Sequence, residues 1–201
     1  MRHHARRIRK KQELRNHILQ AARKIALDEG WQAVTIRKIA DQVEYSAPAI
    51  YEYFESKEAI LLALMEEGFH IMLAELEGIV GRNFQPVDYL IEIGRLYWQF
   101  AWQNPELYQV MHGLGGVPFG TAQAPEDAKK LFEFVKDAVS NARGALGIET
   151  SVTDEMIEIV WAMLHGLVSL SMSGRIPTEN WTEKKFLVEQ AMRQLINGWT
   201  A

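Results

Sequence analysis

Residues 35–57, TIRKIADQVEYSAPAIYEYFESK, restrict the fold more than any other stretch, because they read as two short helices separated by a tight turn and followed by an aromatic-rich exit. Thr35 supplies an N-cap hydroxyl for the first helix, whose Ile36, Ile39, Ala40 and Val43 fall at spacings of three and four. Ser46 is placed to cap the second, and Pro48 occupies its first turn, where a missing N–H costs nothing. Ile50 and Phe54 give that helix one apolar face. Helix, short turn, helix is the frame of a helix-turn-helix, whose second element enters a DNA major groove while the first crosses the backbone.

Charge is distributed to match. Residues 1–57 hold 12 Lys and Arg against 7 Asp and Glu, a net of +5, whereas the other 144 residues hold 10 and 19, a net of −9. Phosphate neutralisation needs basic groups only on the approaching face, so an overall charge of −4 does not argue against a polyanionic partner. A solvated surface with a ragged basic tail would give the same asymmetry; the motif separates the two readings. The first eleven residues, 6 of them basic and none acidic, fit either a minor-groove arm or a disordered tail.

At 201 residues and 48% apolar the chain has material for a substantial core. Its longest clean apolar run is AILLALM at 59–65, far short of a membrane span, and no apolar segment follows the basic start as a secretory signal requires. With no cysteine there is no disulfide framework and no thiolate metal site, which fits a cytoplasmic protein. No His/Asp/Glu spacing marks a metal site, and no cofactor is expected.

The fold class is all-α: an N-terminal three-helix domain over 1–56 and a larger helical bundle over 57–201, about nine helices in all. Leu14, Ile18, Ala21, Ala22, Ile25 and Ala26 predict a helix over about 12–29 that stops at Gly30. Beyond Ser56, apolar residues from Leu61 to Val80 predict a long helix over 57–80. Leu90, Gly94, Tyr97, Trp98 and Ala101 mark another over about 87–103, and Asn104-Pro105 opens a short one that reaches Gly113. The segment 113–127, with four Gly and two Pro, cannot continue a helix. It lacks the preceding strand and the Lys-Ser/Thr of a phosphate loop; loops of this length are often mobile or lie over a binding cavity, so a plain mobile loop and a lid near a ligand entrance both stay open.

Two long helices follow, one after Thr153 with Asp154 and Glu155 at its positive end, the other near Asn180 with Glu183 as capping partner. The first carries Ile157, Ile159, Val160, Trp161, Met163, Leu164, Leu167, Val168, Leu170 and Met172, apolar on more than one face. One side packs on its own domain and the other suits a second subunit, the alternative being a helix buried centrally in a monomer. Phe186, Val188, Ala191, Met192, Leu195, Ile196 and Trp199 of the last helix would complete a four-helix seam across a two-fold axis. Two recognition helices so related would read a palindrome with half-sites about 34–36 Å apart.

Residues 18–64, ILQAARKIALDEGWQAVTIRKIADQVEYSAPAIYEYFESKEAILLAL, resemble the TetR family of bacterial transcriptional regulators nearly position by position. Downstream, NPELYQVMHG at 104–113 and VWAMLHGLVSL at 160–170 resemble a subgroup with a Trp-His-Gly signature in its regulatory domain. The resemblance implies a homodimer that binds double-stranded DNA and answers to a small-molecule effector. It assigns Thr35 and Arg37 to phosphate or base contact, Ser46, Ala47, Pro48 and Ala49 to the start of the recognition helix, and Tyr51, Tyr53 and Lys57 to phosphates. Two residues depart from the family pattern. Glu44 stands where the family often has Gly, and Tyr45 where it has a small aliphatic. The right-handed and bridge regions are open to both, whereas a left-handed position would strain Glu44. Ala47, Pro48 and Ala49 offer no hydrogen bonds to bases, so readout here rests on thymine methyls and DNA shape.

Trp98, Trp102, Tyr108, Met111, His112, Phe132, Trp161 and His165 are the candidate effector contacts, aromatics suited to a hydrophobic or planar ligand. Aromatics at helical spacing also serve as plain core, and His165 fits a core histidine satisfied by a backbone carbonyl. The functional expectation is a repressor released from a palindromic operator when an effector favours a different spacing of the DNA-binding domains, the helix over 57–80 carrying the shift. An enzyme would need a nucleophile beside a base, and the isolated histidines and scattered serines supply no such context. A helical protein-interaction adaptor without DNA binding would explain the apolar last helices but not the basic motif.

Overall fold

The computed structural model describes residues 2–113, 124–177 and 181–200, and all its regular elements there are helical. In chain order they are α1 (Arg2–Glu29), a 3-10 turn (Trp31–Ala33), α2 (Ile36–Gln42), α3 (Ala47–Tyr51) and α4 (Lys57–Glu77), then α5 (Pro86–Gln103), α6 (Pro105–Met111), α7 (Glu126–Ala145), α8 (Asp154–Met172) and α9 (Trp181–Asn197). Residues 114–123 of the glycine-rich segment, the lid expectation attached to them, and the Asn180 cap with its Glu183 partner lie outside the described residues or side chains.

The helices group into two compact units. One contains α1, α2, α3, α4 up to Gly68, and α6; the other contains the rest of α4, α5, α7, α8 and α9. In the first, α1 packs on α2, on the 3-10 turn and on α6. Ile18, Ala22, Ile25, Val34, Ile39, Ile50 and Phe54 form its buried face, with Trp31 filling the corner. An ion cluster crosses this core. Arg23 donates through Nε to Glu106 at 2.7 Å and through Nη1 to Glu67 at 2.8 Å, joining α1, α6 and α4. Glu106 is buried, so its charge is tolerable only because the guanidinium meets it in a charge-assisted pair.

In the second unit α5 is the hub, packing on α7, α8 and α9. Gly94 allows the closest approach: a Cβ there would sit 3.0 Å from Met192 Cγ on α9. Arg95 ties the same two helices at their edge, donating to Glu189 at 2.5 Å.

Several elements differ from the sequence expectation. The first helix begins at Arg2 instead of about residue 12, so the basic start is helical and not a disordered tail. The helix α7 was not marked by the sequence reading at all. Ser46 is the N-cap residue of α3 but makes no side-chain cap bond, and α3 is only five residues long. At α8, Thr153 likewise does not cap. Its hydroxyl bonds the Glu155 carboxylate, which holds that group below the usual carboxylate range.

Candidate nucleic-acid interface

The helix-turn-helix assembles from local chemistry. Thr35 has extended backbone, and its hydroxyl accepts from Lys38 N at 3.2 Å, satisfying one of the free donors that begin α2. At the other end Tyr45 N donates to Ala40 O at 3.0 Å and Glu44 N to Asp41 O at 3.4 Å. This bond pair closes a helix on a left-handed residue. That residue is Glu44, at φ 60°. The strained alternative is therefore the one adopted, because the two bonds need a left-handed residue between them; the cost is about 1 kcal/mol.

The turn sets α3 so that Ile50 is fully buried while Ser46, Pro48 and Tyr51 stay exposed, with Ala47 and Ala49 half-buried. Arg37 on α2 is exposed beside them in the same motif. Tyr53 is half-buried, with the Lys11 ammonium 5.9 Å from its ring centroid. Arg15 stacks its guanidinium 5.0 Å from the ring of Phe54. Lys57 is turned inward, its Nζ donating to the Trp31 carbonyl at 3.3 Å, which leaves its remaining ammonium protons for an outside acceptor.

Behind these side chains Ser56 caps α4, accepting from Ala59 N at 3.2 Å. The Glu58 carboxylate lies below its ordinary range because its own backbone N–H, and then Ser56, hydrogen-bond it. One residue was passed over as a contact. Tyr45 is 51% exposed in the turn directly ahead of α3, where its hydroxyl is open to an outside partner. Its place as an aromatic where the family pattern has a small aliphatic was the available signal.

The candidate effector residues fall into pairs one helical turn apart. Trp98 and Trp102 on α5 have ring centroids 5.7 Å apart, Trp161 and His165 on α8 6.0 Å, and Tyr108 and His112 on and just beyond α6 4.4 Å. Met111 is fully buried, and Phe132 on α7 carries Lys136 over its ring at 6.0 Å. The Trp102 indole Nε1 is buried with no hydrogen-bond partner among the described residues, as are Glu75 Oε2 and Ser171 Oγ in the same unit. Burial pushes the Glu75 carboxyl up and the His165 imidazole down, both toward their neutral forms. His165 Nε2 lies 3.2 Å from Ser169 Oγ, so a side-chain hydroxyl meets it in addition to any backbone contact.

Comparison with known proteins agrees with this geometry. Residues 18–64 match the model of the bacterial regulatory proteins, tetR family, and residues 90–195 match that of the tetracyclin repressor-like C-terminal domain. The HTH-type transcriptional regulator UidR of Escherichia coli K12 is 34% identical over 152 residues, 73% of this chain and 76% of UidR. The nucleoid occlusion factor SlmA of Vibrio vulnificus YJ016 is 26% identical over 183 residues, 87% of this chain and 93% of SlmA. A Rhodococcus sp. RHA1 protein of unknown function has the same fold, with a TM-score of 0.76 at 22% identity, covering 92% of this chain and 94% of that one. Family models spanning both the helix-turn-helix and the helices beyond it leave one conclusion: the chain belongs to the TetR family of DNA-binding transcriptional regulators.

Proposed function

We propose that this regulator acts in the cytoplasm as a homodimeric repressor, holding a palindromic operator through residues 1–56 and releasing it when residues 57–201 take up a small hydrophobic or aromatic effector. The exposed apolar face of α8 carries the reading. Ile159 and Leu170 share one face of α8 and are 56% and 40% exposed, Trp161 stands about half a turn round the helix at 43%, and Phe186 on the neighbouring α9 is 67% exposed. Large apolar side chains gathered on two adjacent helices call for a partner surface. By length and composition alone α8 could also cross a membrane, but a helix with one face packed on its own domain and the other bare is what a two-fold seam requires. Dimerisation in turn presents two copies of α3, and five residues of recognition helix touch too few base edges to select a site singly.

For the effector, Trp98, Trp102, Phe132, Trp161 and His165 of the second unit supply aromatic surface, and the unmet Trp102 indole N–H supplies one donor that fixes orientation. Tyr108, Met111 and His112 remain candidates from the first unit. We place the regulatory helices beside the Trp-His-Gly subgroup on the strength of His165-Gly166 and His112-Gly113. The ligand acts by favouring a dimer in which the DNA-binding domains no longer match successive grooves, with α4 linking the two ends. Selection of bound sequences from a random duplex pool tests the first part, and a palindrome is expected. Recovery of sequences without two-fold symmetry would overturn the dimeric reading. An effector that binds yet leaves operator affinity unchanged at every concentration would overturn the release mechanism.

A further inference from the structure

Residues 6–13 of α1 add no buried side chain to the folded domain: all are exposed, and the first fully buried side chain of the helix is Ile18. At 1.5 Å per residue, the helix from Arg6 to Leu14 runs about 12 Å beyond its own core. The chemistry of this overhang changes along one stripe. Ile25, Ala22, Ile18 and Leu14, spaced by three and four, form the face that α1 turns toward the rest of the domain, and the next positions on that face are Lys11 and Arg7. The inward face thus changes from apolar to basic where the core ends.

Neighbouring groups show which side this is. Lys11 reaches the ring of Tyr53 and Arg15 that of Phe54, so the stripe borders the residues leaving the recognition helix. Charge pairing is uneven along this segment. Arg9, on the far side of the helix, lies 3.6 Å from Glu13, whereas Arg6, Arg7, Lys10 and Lys11 have no carboxylate within 4.0 Å among the described residues. A packing role would put apolar residues on the inward stripe, where Arg7 and Lys11 stand.

We propose that this overhang is a second DNA-binding element: Arg7, Lys10 and Lys11 bind the phosphate backbone of the duplex flanking each half-site, lengthening the contact without reading sequence. Duplex DNA carries one charge per about 1.7 Å of axis, so a helix segment of about 12 Å with three unpaired cations meets a matching line of phosphates. This inference rests on the DNA-binding reading and extends its footprint.

The test compares the native protein with the triple variant Arg7→Ala/Lys10→Ala/Lys11→Ala and with Arg9→Ala, titrating each over a range of salt into the selected operator with flanks of about ten or about two base pairs. All three side chains are exposed, so unchanged thermal unfolding confirms that the variants fold. The triple variant should lose tenfold or more in affinity on the long duplex, and its log–log salt slope should fall by about 5, for three cations lost from each of two protomers. Arg9→Ala should match the native protein. Trimming the flank should weaken the native protein and leave the triple variant unaffected. A triple variant with native affinity and slope overturns the proposal while leaving the regulator reading intact; a native protein that selects no operator overturns the regulator reading itself.

Discussion

Two exposed surfaces of this molecule differ in what each gains from a partner outside the chain. The helix-turn-helix shows Arg37, Tyr45 and Tyr51 to solvent, a cation and two hydroxyls that stay favourable in water and gain when phosphate replaces it. The α8 and α9 surface shows Ile159, Trp161, Leu170 and Phe186, which gain only when water is removed. The first surface therefore suits a reversible, salt-tuned contact, and the second a permanent one. The proposed release from an operator with the dimer intact needs this asymmetry.

The most severe way to break the comparison is Ile159→Asp. Each dimer would lose two buried isoleucine side chains and gain two desolvated carboxylates, about 4 kcal/mol or roughly a thousandfold in dissociation constant. Sedimentation should show monomer at micromolar concentration with operator binding lost; a variant that remains dimeric would remove α8 from the interface. Arg37→Ala attacks the other surface and should cost about 1 to 1.5 kcal/mol of operator affinity, roughly tenfold, with the dimer unchanged. A loss independent of sequence marks a phosphate contact, whereas altered preference in the selected pool marks a base contact. Changes at Ala47 or Ala49 should alter preference.

Glu44→Gly sharpens the contrast from within the motif. Gly147 and Gly174 end α7 and α8 with positive φ and the same paired bonds that Glu44 completes after α2. Relieving the left-handed strain should raise stability by about 1 kcal/mol in urea unfolding, with dimerisation untouched. An unchanged midpoint would show that the turn carries no strain. The smallest effect concerns pH. Burial holds His165 below its ordinary 6.5, so as pH falls the unfolded chain takes up the proton first. Stability is then full above about 6.5 and declines below it. His165→Gln should flatten this decline between pH 7.5 and 5.5; a curve that keeps its slope would assign the acid sensitivity to another group.

The recognition region was legible because its signals are local. Thr35 accepts from the backbone three residues on, Pro48 sits in the first turn where a missing N–H is free, and Gly30 ends α1 at φ 82°. Each depends on neighbours within one helical turn. The start of α1 was not legible, because residues 2–13 carry good helix formers but no apolar stripe for periodicity to detect. Nor was α7, which follows directly on the glycine-rich segment and buries only Ala138, Val139, Ala142 and Arg143.

What the sequence determined by itself was the all-helical class, the helix-turn-helix and the division of charge between the two ends, since helix caps, apolar spacing and charge are properties of short windows. What only the tertiary structure decided was which groups meet across long separations. Arg23 reaches Glu106 across 83 residues, Lys57 turns to the Trp31 carbonyl, and Glu44 takes a left-handed conformation that its own preference opposes. Buried charges must find opposite charges, and a turn must close on the residue that stands there; both conditions are set by the packed core.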